Sequence, residues 1–286
     1  MPENTEFPDA SVMAQRLVEN IRRHGSVAVA FSGGVDSAVV AYAAYAALSE
    51  KAVAVTAVSP SLAQSELTTA RATAEQIGIR HVELPTHEFE RPEYRSNASN
   101  RCFYCKDTLY TLTTAKLKEL GVACVVNGTN TDDLGDHRPG LQAASHHGIV
   151  SPLVEIDADK KQVRRIARYW NLHVSEKPAS PCLSSRIAYG VEVTEDRVRR
   201  VELAEEFLRQ EAGLSEFRVR LEAGELARIE VPLDVINGIT RGDLPKRIAE
   251  KFRALGFQRV TLDLEGFRSG SLNDQLPLVS LSTESL

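Results

Sequence analysis

The sequence predicts an α/β protein in which a doubly wound parallel sheet is followed by a second, smaller α+β domain. Three observations predict it. Apolar runs alternate with helical stretches of about 10–15 residues through the first part of the chain, the pattern of a parallel sheet with crossover helices. A glycine turn joins the first apolar run to its helix. After about residue 190 the order changes to helix, two short strands, helix and strand. With 286 residues, 43% hydrophobic and 26% charged, the chain has room for one large domain and a smaller companion. That composition excludes disorder, collagen-like repetition or coiled coil as the whole structure.

Residues 26–31 (SVAVAF) form a continuous apolar run, the mark of a strand buried on both faces. An Ala-rich helix is expected over 37–49, a second strand over 51–58, a helix over 66–77 and a third strand over 80–84. Residues 86–101 read as a polar loop. A helix over 105–120, a fourth strand over 122–127 and a helix over 159–170 complete the first domain, residues 1–189. In the second domain, 190–286, Thr194 caps a charged helix that runs to about 211. Strands at 217–221 and 226–231 flank the Glu-Ala-Gly-Glu turn at 222–225. A helix over 244–255 and a strand over 259–264 follow, and the tail after Asn273 is polar.

Lys and Arg number 34 against 39 Asp and Glu, for a net charge of −5. Nucleic-acid binders usually carry a basic face, so the balance favours a small-molecule partner and speaks against nucleic acid. No run of about 18 apolar residues exists, so no membrane-spanning helix is expected. The acidic N-terminus lacks the apolar core of a signal peptide, and the expected location is cytoplasmic. Four cysteines are too few for a disulfide scaffold, which turns attention to catalysis or metal binding.

Between the first strand and its helix lies Phe31-Ser32-Gly33-Gly34-Val35-Asp36-Ser37. Two glycines let the backbone turn tightly and aim N–H groups at an anion, and the helix N-terminus adds its dipole. Ser32 and Ser37 supply hydroxyl donors, and Asp36 suits Mg2+ or a helix cap. No Lys follows the glycines, so this is neither the GxxxxGK[ST] loop nor GxGxxG. The residues match SGGxDS and resemble the loop of the ATP pyrophosphatase (PP-loop) superfamily, whose members cleave ATP to AMP and pyrophosphate. That resemblance implies an adenine nucleotide alpha hydrolase-like sheet, ATP and Mg2+. The segment from Asn127 to Asp133, with Asn127 and Asp132, is similar to the second nucleotide-proximal segment of these enzymes.

Cys102 and Cys105 are three residues apart and share one side of a turn or helix start. Cys182 follows far downstream. A CxxC pair with one distant cysteine is one ligand short of a closed zinc site. Three readings stay open: a [4Fe–4S] cluster with one open iron able to carry sulfide, a redox disulfide resolved by Cys182, and three unrelated thiols. Cys124, in an apolar run, reads as core. His137, His146 and His147 read as loop histidines without a paired carboxylate, and no metal is assigned to them.

Further segments carry a closer resemblance: Asp136 to Gly140, Ala179 to Arg186 with its Ser184-Ser185-Arg186 end, Tyr189-Gly190, Phe217 to Arg220, Ala227 to Glu230, and Thr261 to Gly270. Together with the phosphate loop they span residues 26 to about 274. They resemble the ATP-dependent sulfur transferases of the LarE type, which build the nickel-pincer nucleotide cofactor of lactate racemase. The resemblance implies that carboxylates of pyridinium-3,5-dicarboxylate mononucleotide are adenylated and then converted to thiocarboxylates. It also implies a homo-oligomer. Arg218 and Arg220 match positions that hold phosphate. Alternation puts both on one strand face, where two guanidinium forks can clamp an anion. Arg186 and Glu230 match positions near the reacting centre. From the residues alone, pairing of Arg218 or Arg220 with Glu230 across the hairpin is equally open.

One departure bears on the sulfur. Some members of the type spend a single cysteine as donor, within Ala-Ser-Cys-Ser-x-Ser-Ser-Arg. Aligned on Ser184-Ser185-Arg186, that position is Pro181 here, and Cys182 falls one residue later. The three-cysteine version, with Cys102, Cys105 and Cys182 on a [4Fe–4S] cluster, is the better match. Two other readings compete. A PP-loop tRNA 2-thiolation enzyme also pairs the loop with CxxC and a distant cysteine, but the charge balance opposes a large RNA footprint. A catalytically inactive nucleotide-binding module would not need Asp36, Asn127, Asp132 and three cysteines. An amidating synthetase would need a glutaminase domain, for which the chain has no room.

Overall fold

The computed structural model describes residues 9–135 and 139–268. In chain order the helices are α1 (Ala10–Arg22), α2 (Val35–Leu48), α3 (Gln64–Ile77), α4 (Pro92–Arg95), α5 (Arg101–Ala115), α6 (Leu117–Leu120), α7 (Pro139–His146), α8 (Pro152–Glu155), α9 (Lys160–Tyr169), α10 (Glu195–Ala212), α11 (Ile236–Ile239) and α12 (Leu244–Ala254). The strands are β1 (Val27–Ala30), β2 (Ala52–Val58), β3 (Arg80–Pro85), β4 (Cys124–Val126), β5 (Arg218–Glu222), β6 (Leu226–Glu230) and β7 (Arg259–Leu262). Backbone contacts divide the chain into two compact units. The first comprises the chain up to Glu88 together with Cys102–Pro181, and the second comprises Phe89–Arg101 and the chain from Cys182 onward.

In the first unit four parallel strands take the order β3-β2-β1-β4. Val27, Ala28 and Val29 of β1 are wholly buried, as a central strand covered on both faces requires. Strand order reverses between β1 and β4, so a crevice opens beyond their carboxyl ends, where open α/β sheets bind ligands. One core layer joins Leu17 and Ile21 of α1, Val39 and Val40 of α2 and Ile166 of α9. The other joins Val53, Val55 and Leu84 of the sheet to Leu109 and Tyr110 of α5. Helix α1 was absent from the sequence-based expectation; Asp9 caps it, its side chain accepting from Ser11 N–H. Helix α9 begins at a capping box, with Asp159 accepting from Gln162 N–H and the Gln162 side chain from Asp159 N–H.

The second unit holds a three-stranded sheet in the order β5-β6-β7, antiparallel then parallel. Val198, Val201, Ala204 and Leu208 recur at helical spacing on α10 and are fully buried. Thr194 caps α10 by accepting from Arg197 N–H at 3.3 Å, as the sequence predicts. Among the described residues no helix is long and apolar enough to cross a membrane. Residues 136–138 of the resemblance and the tail after Asn273 lie outside the described residues.

Candidate functional site

The phosphate loop leaves β1 and enters α2 at the switch point of the sheet. Its shape is set inside the loop. Ser37 Oγ donates to the Gly34 carbonyl at 3.1 Å and accepts from Ser32 N–H at 3.2 Å, and Ser32 Oγ accepts from Gly34 N–H at 3.3 Å. Gly33 has φ +71°, and a Cβ there would lie 2.7 Å from Ala70 Cα on α3. Gly128, after β4, lets that strand's exit approach Ser37 N, which a Cβ would meet at 2.8 Å. These glycines bring two loops and a helix start together closely enough to line one cleft of about 450 Å3. A support behind the loop comes from Thr56 of β2. Its hydroxyl donates to the Phe31 carbonyl at 2.8 Å, so it can only accept from His81, which fixes the proton on His81 Nε2. Burial lowers the His81 pKa, which keeps the ring neutral at neutral pH.

The cleft has a polar end, with Ser32, Gly34, Asp36, Ser37, Asn127 and Gly128, and an apolar wall of Ala57, Leu62, Leu109 and Leu141. That division suits a charged phosphate chain joined to a flat base. Asn127 holds its own turn: Oδ1 accepts from Thr129 N–H at 3.1 Å and from Ser151 Oγ at 2.9 Å. Asp132 accepts from Lys160 N–H at 3.1 Å, at the start of α9, while its neighbour Asp133 lines the cleft. Lys106, one residue after Cys105, also lines the cleft. Neither Asp133 nor Lys106 was singled out from sequence, although both adjoin residues that were.

Asp36 and Asn130 meet at this polar end. Asn130 Nδ2 donates to Asp36 Oδ1 at 3.1 Å, and Asn130 Oδ1, fully buried, has no hydrogen-bond partner. Burial raises the Asp36 pKa, the Asn130 amide opposes that shift, and the Asp133 carboxylate adds to it. An orphaned buried oxygen beside a carboxylate whose charge burial disfavours is a donor set that suits a cation. Asp36 and Asn130 therefore fit Mg2+, a hard ion that takes few protein oxygens and completes its shell with phosphate and water.

The raised Asp36 pKa has a definite sign. The folded protein holds this proton more tightly than the unfolded chain, so stability falls as pH rises through the interval between the two values and the loss is complete above it. Asp36→Asn removes the charge and keeps the acceptor for Asn130. The variant is expected to melt higher than wild type without ATP, by a gap that opens as pH rises through that interval and is constant above it. It is also expected to lose about 10²-fold or more in Mg-ATP cleavage. Melting curves across pH, with pyrophosphate release, check both.

Cys102 and Cys105 lie in the first turns of α5, which begins four residues earlier than the sequence predicts; Cys102 is exposed and Cys105 half-buried. Gly140 at the start of α7 lets that helix approach α5, since a Cβ there would lie 3.2 Å from Lys106 Cγ. His147 is not the solvated loop histidine expected: its Nε2 lies 2.9 Å from Asp107 Oδ1 of α5. Cys182, exposed, stands at the head of a 3-10 turn, Leu183–Arg186, in the second unit. Among the described residues no three His, Cys, Asp or Glu side chains form a group able to hold a metal ion.

Arg186, Glu230, Arg218 and Arg220 are brought together in the second unit. Arg186 pairs with Glu205 of α10 at 3.0 Å, both nearly inaccessible, and its Nη1 donates to the Cys182 carbonyl at 2.9 Å. Glu230, wholly buried, accepts from Arg220 at 3.0 Å and from Arg228 at 2.8 Å. The cross-hairpin pairing left open by the sequence is thus made by Arg220. Arg218 packs over the Phe267 ring, 5.0 Å from its centre. Burial lowers its pKa, and the neighbouring Arg186 guanidinium lowers it further. Four guanidiniums, Arg186, Arg218, Arg220 and Arg228, stand among four carboxylates, Glu205, Glu222, Glu230 and Asp263. Glu205 was not singled out from sequence, because a lone Glu on a charged helix carries no signal.

Residues 12–105 match the asparagine synthase family. The chain is 44% identical over 265 residues, 91% of its length and 98% of the relative's, to an uncharacterized protein of Synechocystis. It is 35% identical over 269 residues, 93% of its length and 96% of the relative's, to the pyridinium-3,5-bisthiocarboxylic acid mononucleotide synthase of Lactiplantibacillus plantarum. An uncharacterized protein of Methanocaldococcus jannaschii is 28% identical over 259 residues, 89% and 96% of the two chains.

Proposed function

Since the chain belongs to the family of the pyridinium-3,5-bisthiocarboxylic acid mononucleotide synthase, the LarE type, we propose that it converts the carboxylates of pyridinium-3,5-dicarboxylate mononucleotide to thiocarboxylates at the expense of ATP. The observation that carries this reading is full-length relatedness together with a phosphate-loop cleft at the switch point of the sheet. Chemistry requires two steps. A carboxylate oxygen attacks the α-phosphorus of ATP, forming an acyl-adenylate and releasing pyrophosphate. A sulfur nucleophile, HS⁻ or its carrier-bound equivalent, then attacks the acyl carbon. AMP leaves with the electron pair of the broken C–O bond, and the thiol proton goes to solvent. The first step turns a poor electrophile into a good one.

In this chain the loop N–H groups, Ser32 and Ser37 bind the phosphates. Asp36 and Asn130 would hold Mg2+, which supplies charge neutralisation at the phosphates. The match of Arg218 and Arg220 to the family's phosphate-holding positions, on one face of a strand, supports them as holders of the substrate phosphate. Cys102, Cys105 and Cys182 are the sulfur-carrying thiols in this reading. The [4Fe–4S] form of that carrier is supported by the cysteine pattern alone.

Incubation of the protein with this mononucleotide, Mg-ATP and sulfide is expected to release AMP and pyrophosphate and to yield a thiocarboxylate visible by mass spectrometry. Absence of nucleotide-dependent pyrophosphate release would overturn the reading. Anaerobic purification with iron and sulfide analysis separates the carriers. About four irons and four sulfides, lost in Cys102→Ala, identify a cluster; iron-free active protein excludes it, and mass spectrometry of Cys182 before and after turnover then tells a bound persulfide from loss of the cysteine's own sulfur.

A further inference from the structure

The stretch from Cys182 to Val191 contains no strand and only one 3-10 turn, so its carbonyls must find partners elsewhere. Backbone N–H groups of Ser185, Ile187 and Val191 reach Cys182 O, Ser184 O and Ala188 O, and side chains brace these carbonyls and three more. Cys182 O accepts from Arg186 Nη1 at 2.9 Å and from Ser185 Oγ at 2.6 Å. Ser185 O accepts from Arg220 Nη1 at 2.9 Å, and Ser184 O from Arg101 Nη1 at 2.8 Å. The single amide of Asn97 reaches Ile187 O, Ala188 O and Val191 O at 3.2, 2.8 and 2.9 Å. Asn97 Oδ1 accepts from Arg101 Nη1 at 2.5 Å, and the Tyr94 hydroxyl lies 2.8 Å from Ser184 Oγ.

Tyr94, Asn97 and Arg101 are almost wholly buried, and Asn97 sits at φ +56°. Burying a guanidinium and straining an asparagine are both unfavourable, and apolar packing would stabilise the fold at least as well. What polar bracing adds is a single backbone conformation for the segment whose exposed residue is Cys182. We infer that Tyr94, Asn97 and Arg101 are positioning residues for the Cys182 thiol. Their catalytic consequence rests on the reading of Cys182 as a sulfur carrier; their effect on the thiol itself does not.

The test uses the full-length protein with Tyr94→Phe and Arg101→Ala. The first readout is the rate of Cys182 alkylation by iodoacetamide, followed by peptide mass spectrometry with Cys124 of β4 as internal reference. Both variants are expected to change the Cys182 rate several-fold and to leave the Cys124 rate unaltered. The second readout is thiocarboxylate formed per pyrophosphate released. It is expected to fall by about 10-fold to 10²-fold with an unchanged KM for ATP, the loss that follows from displacement of a reacting group by about 1 Å. Arg101→Lys, or guanidinium ion added to Arg101→Ala, is expected to restore part of it. Unchanged Cys182 alkylation in both variants would overturn the inference. Should Arg101→Ala not fold, Tyr94→Phe, which removes one hydroxyl and keeps the ring, decides alone. Sulfur transfer that survives Cys182→Ala would defeat the sulfur-carrier reading, while the alkylation rates would still decide the positioning.

Discussion

Gly33→Ala is expected to lower ATP-dependent pyrophosphate formation by about 10²-fold or more. Two causes add. At φ +71° a Cβ costs about 1–2 kcal/mol of backbone strain. The same Cβ would stand 2.7 Å from Ala70 Cα and 2.9 Å from Ala70 N, atoms of the α3 backbone that cannot rotate away. The loop must therefore lift, and its N–H groups move with it. A shift of about 1 Å in a positioning group costs about 10² in rate. Gly148→Ala is the matched control. Gly148 also has positive φ, +60°, but a Cβ there would meet nothing within 4 Å. That variant is expected to lose about 1 kcal/mol of stability and no activity. Pyrophosphate release and thermal melting of the two variants separate strain from collision.

Glu230→Ala is expected to destabilise the second unit by about 3–5 kcal/mol, the cost of removing one partner from a buried ion pair. Glu230 is fully buried, and its two oxygens serve Arg220 and Arg228. Arg228 keeps Glu222 and Asp263, whereas Arg220, itself only 7% exposed, would lose its carboxylate. Glu230→Gln, which keeps an acceptor of the same shape, is expected to lose less. The contrast is Glu83→Ala. The Arg71–Glu83 pair is shorter, 2.6 Å, but stands in solvent, and its loss is expected to leave the urea midpoint almost unchanged. Urea unfolding of the three variants measures the difference.

Most of the fold was legible because its signals are local. The apolar run of β1 calls for a central strand, SGGVDS calls for a tight turn into a helix, and Thr194 marks a helix start; each signal lies within a few residues of its effect. The stretch 86–101 was not legible. It reads as a polar loop, yet Tyr94, Asn97 and Arg101 are among the most buried polar groups of the second unit. Their partners lie about ninety residues away in sequence, at Ser184, Ile187 and Ala188. Asp132 and Asp133 are equal candidates in sequence; both meet Lys160 at the start of α9, and only Asp133 also lines the cleft. His147 reads as solvated because its carboxylate, Asp107, is forty residues away.

The sequence by itself thus determined the parallel sheet, the phosphate loop at its switch point and the residue types available for sulfur and anion chemistry. These depend on periodicity, on the need for positive φ and on caps. Tertiary structure alone decided that Asn130 donates to Asp36, that Arg220 takes Glu230 while Arg186 takes Glu205, and that Cys182 stands on a braced turn. The reason is physical. A buried polar group must find a partner in space, and the chain can deliver that partner from any distance along its length.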